Sequence, residues 1–159
     1  CNFYYNSIVG GSGGAAKFLS VVNQVDIFNS SFINNTAWSS YTLKSQGGAF
    51  VMTKNSVINM TKCDFDSNVA QPRDNINPLT NSGEGGAIYS QSSVLYASAI
   101  TFTNNLARTG QFDSGSGGGA IFMEDSYNSS FYDCKFSYNG AAGLNRASSY
   151  TAAGSGGAM

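Results

Sequence analysis

Histidine is absent from this 159-residue chain, and charge is scarce: charged residues make up 11% of it, with a net charge of −1. Without imidazole there is no histidine base and no histidine-ligated metal. A nucleic-acid partner needs a stripe of lysine and arginine, and eight such residues spread along the chain supply none. No apolar run approaches the roughly 18 residues of a membrane-crossing helix. No signal-peptide pattern is present. Proline occurs twice and cysteine three times. What is abundant is Gly, Ser, Thr and Asn. That mix suits a disordered linker, but the aromatic content of 13% opposes it, because Phe and Tyr recur at fixed positions and need burial.

Those positions form a repeat. Gly-Gly-Ala stands at Gly13-Gly14-Ala15, Gly47-Gly48-Ala49, Gly85-Gly86-Ala87, Gly118-Gly119-Ala120 and Gly156-Gly157-Ala158. Between these lie Phe3/Asn6, Phe32/Asn35, Phe65/Asn68, Phe102/Asn105 and Phe136/Asn139, each a Phe-x-x-Asn. The two elements alternate without exception, and successive Gly-Gly-Ala alanines stand 33 to 38 residues apart, which is the signature of a stacked array. The units are 1–14 (partial), 15–48, 49–86, 87–119 and 120–159, one segment without internal domain boundaries. Both ends cut through a unit, so the expectation is a slice of a longer array.

One unit reads as three short strands. Seven and five residues before each Phe stand Val25/Ile27, Ile58/Met60, Leu95/Ala97 and Ser129/Phe131, mostly apolar and separated by Asp26, Asn59, Tyr96 and Ser130. Period-two alternation of this kind marks a strand with one buried face. The Phe and the residue two before it form a second inward pair, one residue out of phase, so the chain bends between them. A third apolar piece follows Gly-Gly-Ala, as in Phe50-Val51-Met52 and Ile121-Phe122-Met123. Three strands per coil predict an all-β fold: a right-handed parallel β-helix of about five stacked coils, at about 4.8 Å per rung. Phe3, Phe32, Phe65, Phe102 and Phe136 should stack inside, and Asn6, Asn35, Asn68, Asn105 and Asn139 should hydrogen-bond along a bend. Glycine permits the turn where a Cβ would clash. The stretch from each Phe to the next repeat Ala varies from 12 to 22 residues and is the loop.

The pairing of Gly-Gly-Ala-Ile with Phe-x-x-Asn resembles the repeat of chlamydial polymorphic outer-membrane proteins, along the whole chain. The resemblance implies a pectin-lyase-like β-helix displayed on a surface as an adhesive passenger. The repeat is also similar to ones in large secreted proteins of other bacteria, protists and algae.

No catalytic, cofactor or metal residue is assigned. Gly115 to Ala120 fits G-x-G-x-x-A, but a strand-like Ile121-Phe122-Met123 follows where a dinucleotide site needs a helix. β-Helical lyases and hydrolases need carboxylates at one repeat position in adjacent rungs. Here Glu124 aligns with Gln91 and Thr53, and Asp64 with Thr101 and Ser31. The chain therefore reads as non-enzymatic, without cofactor. Cys1, Cys63 and Cys134 share one position in alternate units, about 9.6 Å apart at two rungs, too far to pair. They are expected as buried free thiols. Four sequons begin at Asn29, Asn34, Asn59 and Asn128; Asn59 ranks first for an attached glycan and Asn34, beside the Asn column, last. The strand after Gly-Gly-Ala is apolar on both faces, so Val51, Tyr89 and Phe122 should point outward beneath either a long loop such as Gln71 to Glu84 or a neighbouring protomer.

The leading expectation is a structural or interaction segment of an extracellular surface protein or fibre. Its partners would be copies of itself or other surface and fibre proteins, with no nucleic acid and no membrane contact by this segment. The alternatives are a bacterial autotransporter-like adhesin and a carbohydrate-binding or carbohydrate-cleaving β-helix.

Overall fold

A computed structural model describes residues 1–20, 24–39, 44–72, 82–109 and 117–143. The last Gly-Gly-Ala, most of the long loops and the Gly115 end of the glycine run lie outside them. Every strand pairing among the described residues is parallel.

The coil has four principal strands, not three. The Phe sheet stacks Asn2–Tyr4, Ser31–Ile33, Asp64–Asp66, Thr101–Thr103 and Lys135–Ser137. Its register aligns Phe3, Phe32, Phe65, Phe102 and Phe136. The Ala sheet follows each Asn: Ser7–Val9, Thr36–Trp38, Val69–Gln71, Leu106–Thr109 and Gly140–Gly143. The post-glycine sheet holds Ala16–Leu19, Phe50–Thr53, Ile88–Gln91 and Ile121–Glu124. The lead-in sheet holds Gln24–Phe28, Val57–Thr61, Val94–Ser98 and Ser130–Tyr132, and returns the chain to the Phe sheet. A short outer pair, Ser45–Gln46 with Gly83–Glu84, lies between the Ala and post-glycine sheets in chain order. Bridges from Ser12 to Gln46 and from Glu84 to Gly117 extend it.

The core is a column closed by three of these sheets. Phe32, Phe65 and Phe102 meet Phe50, Met52, Ile58, Met60, Ile88 and Leu95 there, all buried. Phe3, Phe18, Phe131 and Phe136 also point inward but are half-buried, because they belong to the terminal rungs. Every coil repeats its corners. The residue before each ladder Asn has a left-handed φ near 55° (Tyr5, Asn34, Ser67, Asn104, Tyr138), and so does the first glycine of each described Gly-Gly-Ala, at 53° to 77°. The second glycine is required for a different reason. A Cβ on Gly48 would lie 2.1 Å from the Gly86 carbonyl oxygen and 2.5 Å from the Val69 nitrogen, so backbone meets backbone there.

Candidate functional site: the polar ladder and the outer faces

The Asn column is a saturated hydrogen-bond network. Asn68 Oδ1 accepts from the Asn35 backbone N–H at 3.1 Å and from Asn35 Nδ2 at 3.0 Å. Asn68 Nδ2 donates to the Phe32 carbonyl at 2.8 Å and to Asn105 Oδ1 at 2.9 Å. The pattern runs from Asn6 to Asn139. Asparagine suits this position because its amide offers both donors and an acceptor. Beside it the Phe rings stack at centroid separations of 4.7 to 5.1 Å.

The outward column of the post-glycine sheet is covered by the chain itself. Val51 and Tyr89 are fully buried and Phe122 is half-buried. Space is tight above them: a Cβ on Gly47 would sit 2.7 Å from Val51, and one on Gly117 would sit 2.1 Å from Phe122. Val51 and Tyr89 therefore cannot serve as lateral contacts between protomers; the segment leading into each Gly-Gly-Ala occupies that space. It carries its own polar pairing. Lys44 pairs with the buried Glu84, whose other oxygen accepts from Gln46 Nε2 at 3.2 Å. The Tyr89 hydroxyl donates to Glu124 Oε2 at 2.8 Å. Burial and then that hydrogen bond and charge push the Tyr89 hydroxyl well above its ordinary value.

The three cysteines differ. Cys63 is buried, and burial raises its thiol above the ordinary value. Cys134 is half-buried and Cys1 is exposed, each in a terminal rung of the described stack. The inward slot exists at each, but a slot is sealed only when rungs lie on both sides. All three are free.

Among the sequons, Asn128 is exposed in a turn between sheets, and Asn29 is exposed at a corner. Asn59 is half-buried in mid-strand and donates from Nδ2 to Asp26 at 2.9 Å, so its amide is already engaged. Exposure thus favours Asn128 over Asn59. Asn34 is half-buried beside the ladder. Among the described residues no group of three metal-ligating side chains converges.

Stacked parallel strands with an internal Asn ladder define a β-solenoid, the parallel β-helix class. Its repeat is of a particular type: the sequence model of the Chlamydia polymorphic membrane protein repeat matches residues 62–91 and 99–124. Each match joins a Phe-x-x-Asn rung to a Gly-Gly-Ala corner or runs from one such rung to the next post-glycine strand, so the chain carries polymorphic-membrane-protein-type repeats in a β-helix. No curated protein and no solved structure matches the chain.

Proposed function

We propose that this segment is a non-enzymatic, stiff column of an extracellular or cell-surface protein or fibre, holding its loops and outer faces at fixed spacing. The observation that supports this reading most directly is the uninterrupted ladder pair. Five Phe rings and five Asn side chains run in register through all five rungs of the Phe sheet, coupling each coil to the next. Such coupling suits a scaffold whose work is length and display. Polymorphic-membrane-protein-type repeats favour a surface location. The test is antibody labelling of intact native cells with protease shaving. Surface labelling lost on shaving supports the reading; labelling seen only after permeabilisation overturns it.

A bacterial adhesin is the second reading, favoured by the same repeat match. Intact-mass measurement of native material separates the two, since N-glycans on Asn128 or Asn29 mark a eukaryotic secretory route.

A further inference from the structure

The exposed aromatic rings are unevenly placed. Among the described residues they all lie on the Phe and lead-in sheets or at the corners beside them, and none on the Ala or post-glycine sheets. Phe28 is 61% exposed, Tyr96 43% and Tyr132 76%. Strand alternation aims these side chains outward; Phe28 and Tyr132 belong to the two terminal rungs of the lead-in sheet and Tyr96 to an interior one. Phe28 and Tyr132 share one outward column with Thr61 and Ser98 between them, and Tyr96 stands in the next column. At the Phe-sheet corner Tyr5 and Tyr138 occupy equivalent positions and are more exposed still.

The same two faces carry unbalanced charge. Asp26, Asp64, Asp66 and Asp133 stand against Lys62 and Lys135. None of the four aspartates has an ion-pair partner among the described residues. Two of them are oriented by neighbours. Asp26 Oδ1 accepts from Gln24 at 2.7 Å and Asn59 at 2.9 Å, and Asp66 Oδ1 accepts from Ser67 at 3.0 Å and Asn104 at 3.2 Å. In both, Oδ2 has no hydrogen-bond partner among the described residues and is placed to meet a donor from outside. The face already holds one cation against one of its rings: Lys62 Nζ lies 5.9 Å from the Phe28 centroid.

We propose that the outer faces of the Phe and lead-in sheets form a docking surface for a lysine- or arginine-bearing segment of another protein. Aspartate Oδ2 atoms take its charged hydrogen bonds, and Tyr96 and Tyr132 take its cations and aliphatic stems. Tyrosine supplies contact area at low entropic cost, and the Ser, Thr and Asn residues between supply adaptable hydrogen bonds. Charge complementarity selects this occupant: unpaired carboxylates repel nucleic acid, and they gain more from the charge-assisted hydrogen bonds of a cation than from the neutral hydroxyls of a glycan. The proposal rests on the reading of the chain as an interaction column, but its test does not depend on where the column is displayed.

The experiment measures fluorescence anisotropy of the 159-residue chain with a short arginine- and lysine-rich peptide, a neutral serine–glycine peptide of equal length and a neutral glucose oligomer. Binding of the basic peptide alone, weakened by salt, is expected. Asp26→Asn with Asp66→Asn should weaken it about tenfold or more, and Tyr96→Ala with Tyr132→Ala about five- to thirtyfold, from roughly 0.5–1 kcal/mol per exposed cation–π contact. Asp125→Asn, at the corner after the post-glycine sheet, should leave it unchanged, and circular dichroism of each variant verifies folding. No binding of the basic peptide, equal binding of the neutral one, binding only of the glucose oligomer, or indifference to these substitutions would each overturn the proposal. None of those results would move the surface-labelling outcome.

Discussion

Replacing Asn68 by alanine tests whether the polar ladder holds the coils together. Asn68 is fully buried, and its side chain makes four hydrogen bonds to two adjacent rungs. Asn68→Ala leaves the buried Asn35 backbone N–H without its acceptor, which costs about 1–3 kcal/mol. It also deletes three further bonds, each worth about 0.5–1.5 kcal/mol net. The expected loss is therefore about 3–7 kcal/mol, large beside the usual total stability of a domain. Urea unfolding followed by circular dichroism measures it as a fall in midpoint at unchanged slope. Amide exchange gives a local readout, because the Asn35 N–H should lose protection more than amides in rungs farther away. Asn104→Gly is the control. Asn104 is an asparagine next to a ladder position, yet it is exposed and left-handed at φ 55°, where glycine is at ease, so the change should be within about 0.5 kcal/mol. If Asn68→Ala costs under about 1 kcal/mol, the ladder is decoration and the stack is held by apolar burial alone.

Three other outcomes follow from single contacts. Gly48→Ala forces a Cβ against two backbone atoms and should abolish cooperative folding, seen as loss of the β-sheet circular dichroism signal. Thr53→Val should be neutral or stabilising by about 1 kcal/mol in urea unfolding, because the Thr53 hydroxyl is buried without a hydrogen-bond partner. Tyr89 has a raised folded-state pKa, so above the unfolded value of about 10 the unfolded chain releases the proton first and stability falls as pH rises. Tyr89→Phe should remove that part of the alkaline loss in thermal melts between neutral pH and pH about 11.

Much of the fold was legible because the chain repeats its instructions. The Phe-x-x-Asn spacing aligned the rungs, and the structure pairs Phe65 with Phe32 and Phe102 in that register. The Ala sheet was not legible as a strand. Its members turn inward only one small residue, Ala37, Ala70 or Ala107, so three residues give no apolar alternation. The recurring alanine two residues past Asn35, Asn68, Asn105 and Asn139 was the signal available. The cover over Val51 and Tyr89 was half legible. Two apolar faces on one strand demand a cover, but the two-residue strands that provide it, Ser45–Gln46 and Gly83–Glu84, are polar and patternless. The corner residues with left-handed φ vary from Tyr5 to Ser67 to Asn104, so no residue type announced them.

The central claim, that five rungs stack in register, is tested most directly by one distance. Asn2 and Lys135 occupy the same column at opposite ends of the Phe sheet, four rung steps apart through Ser31, Asp64 and Thr101. Nitroxide labels at Asn2→Cys and Lys135→Cys, with the three native cysteines replaced, report their separation by pulsed electron spin resonance. A narrow distribution consistent with Cα atoms about 19 Å apart, four steps of about 4.8 Å, is the predicted result. A broad distribution, or one centred beyond about 35 Å, is incompatible with four in-register steps and would contradict the stacked column.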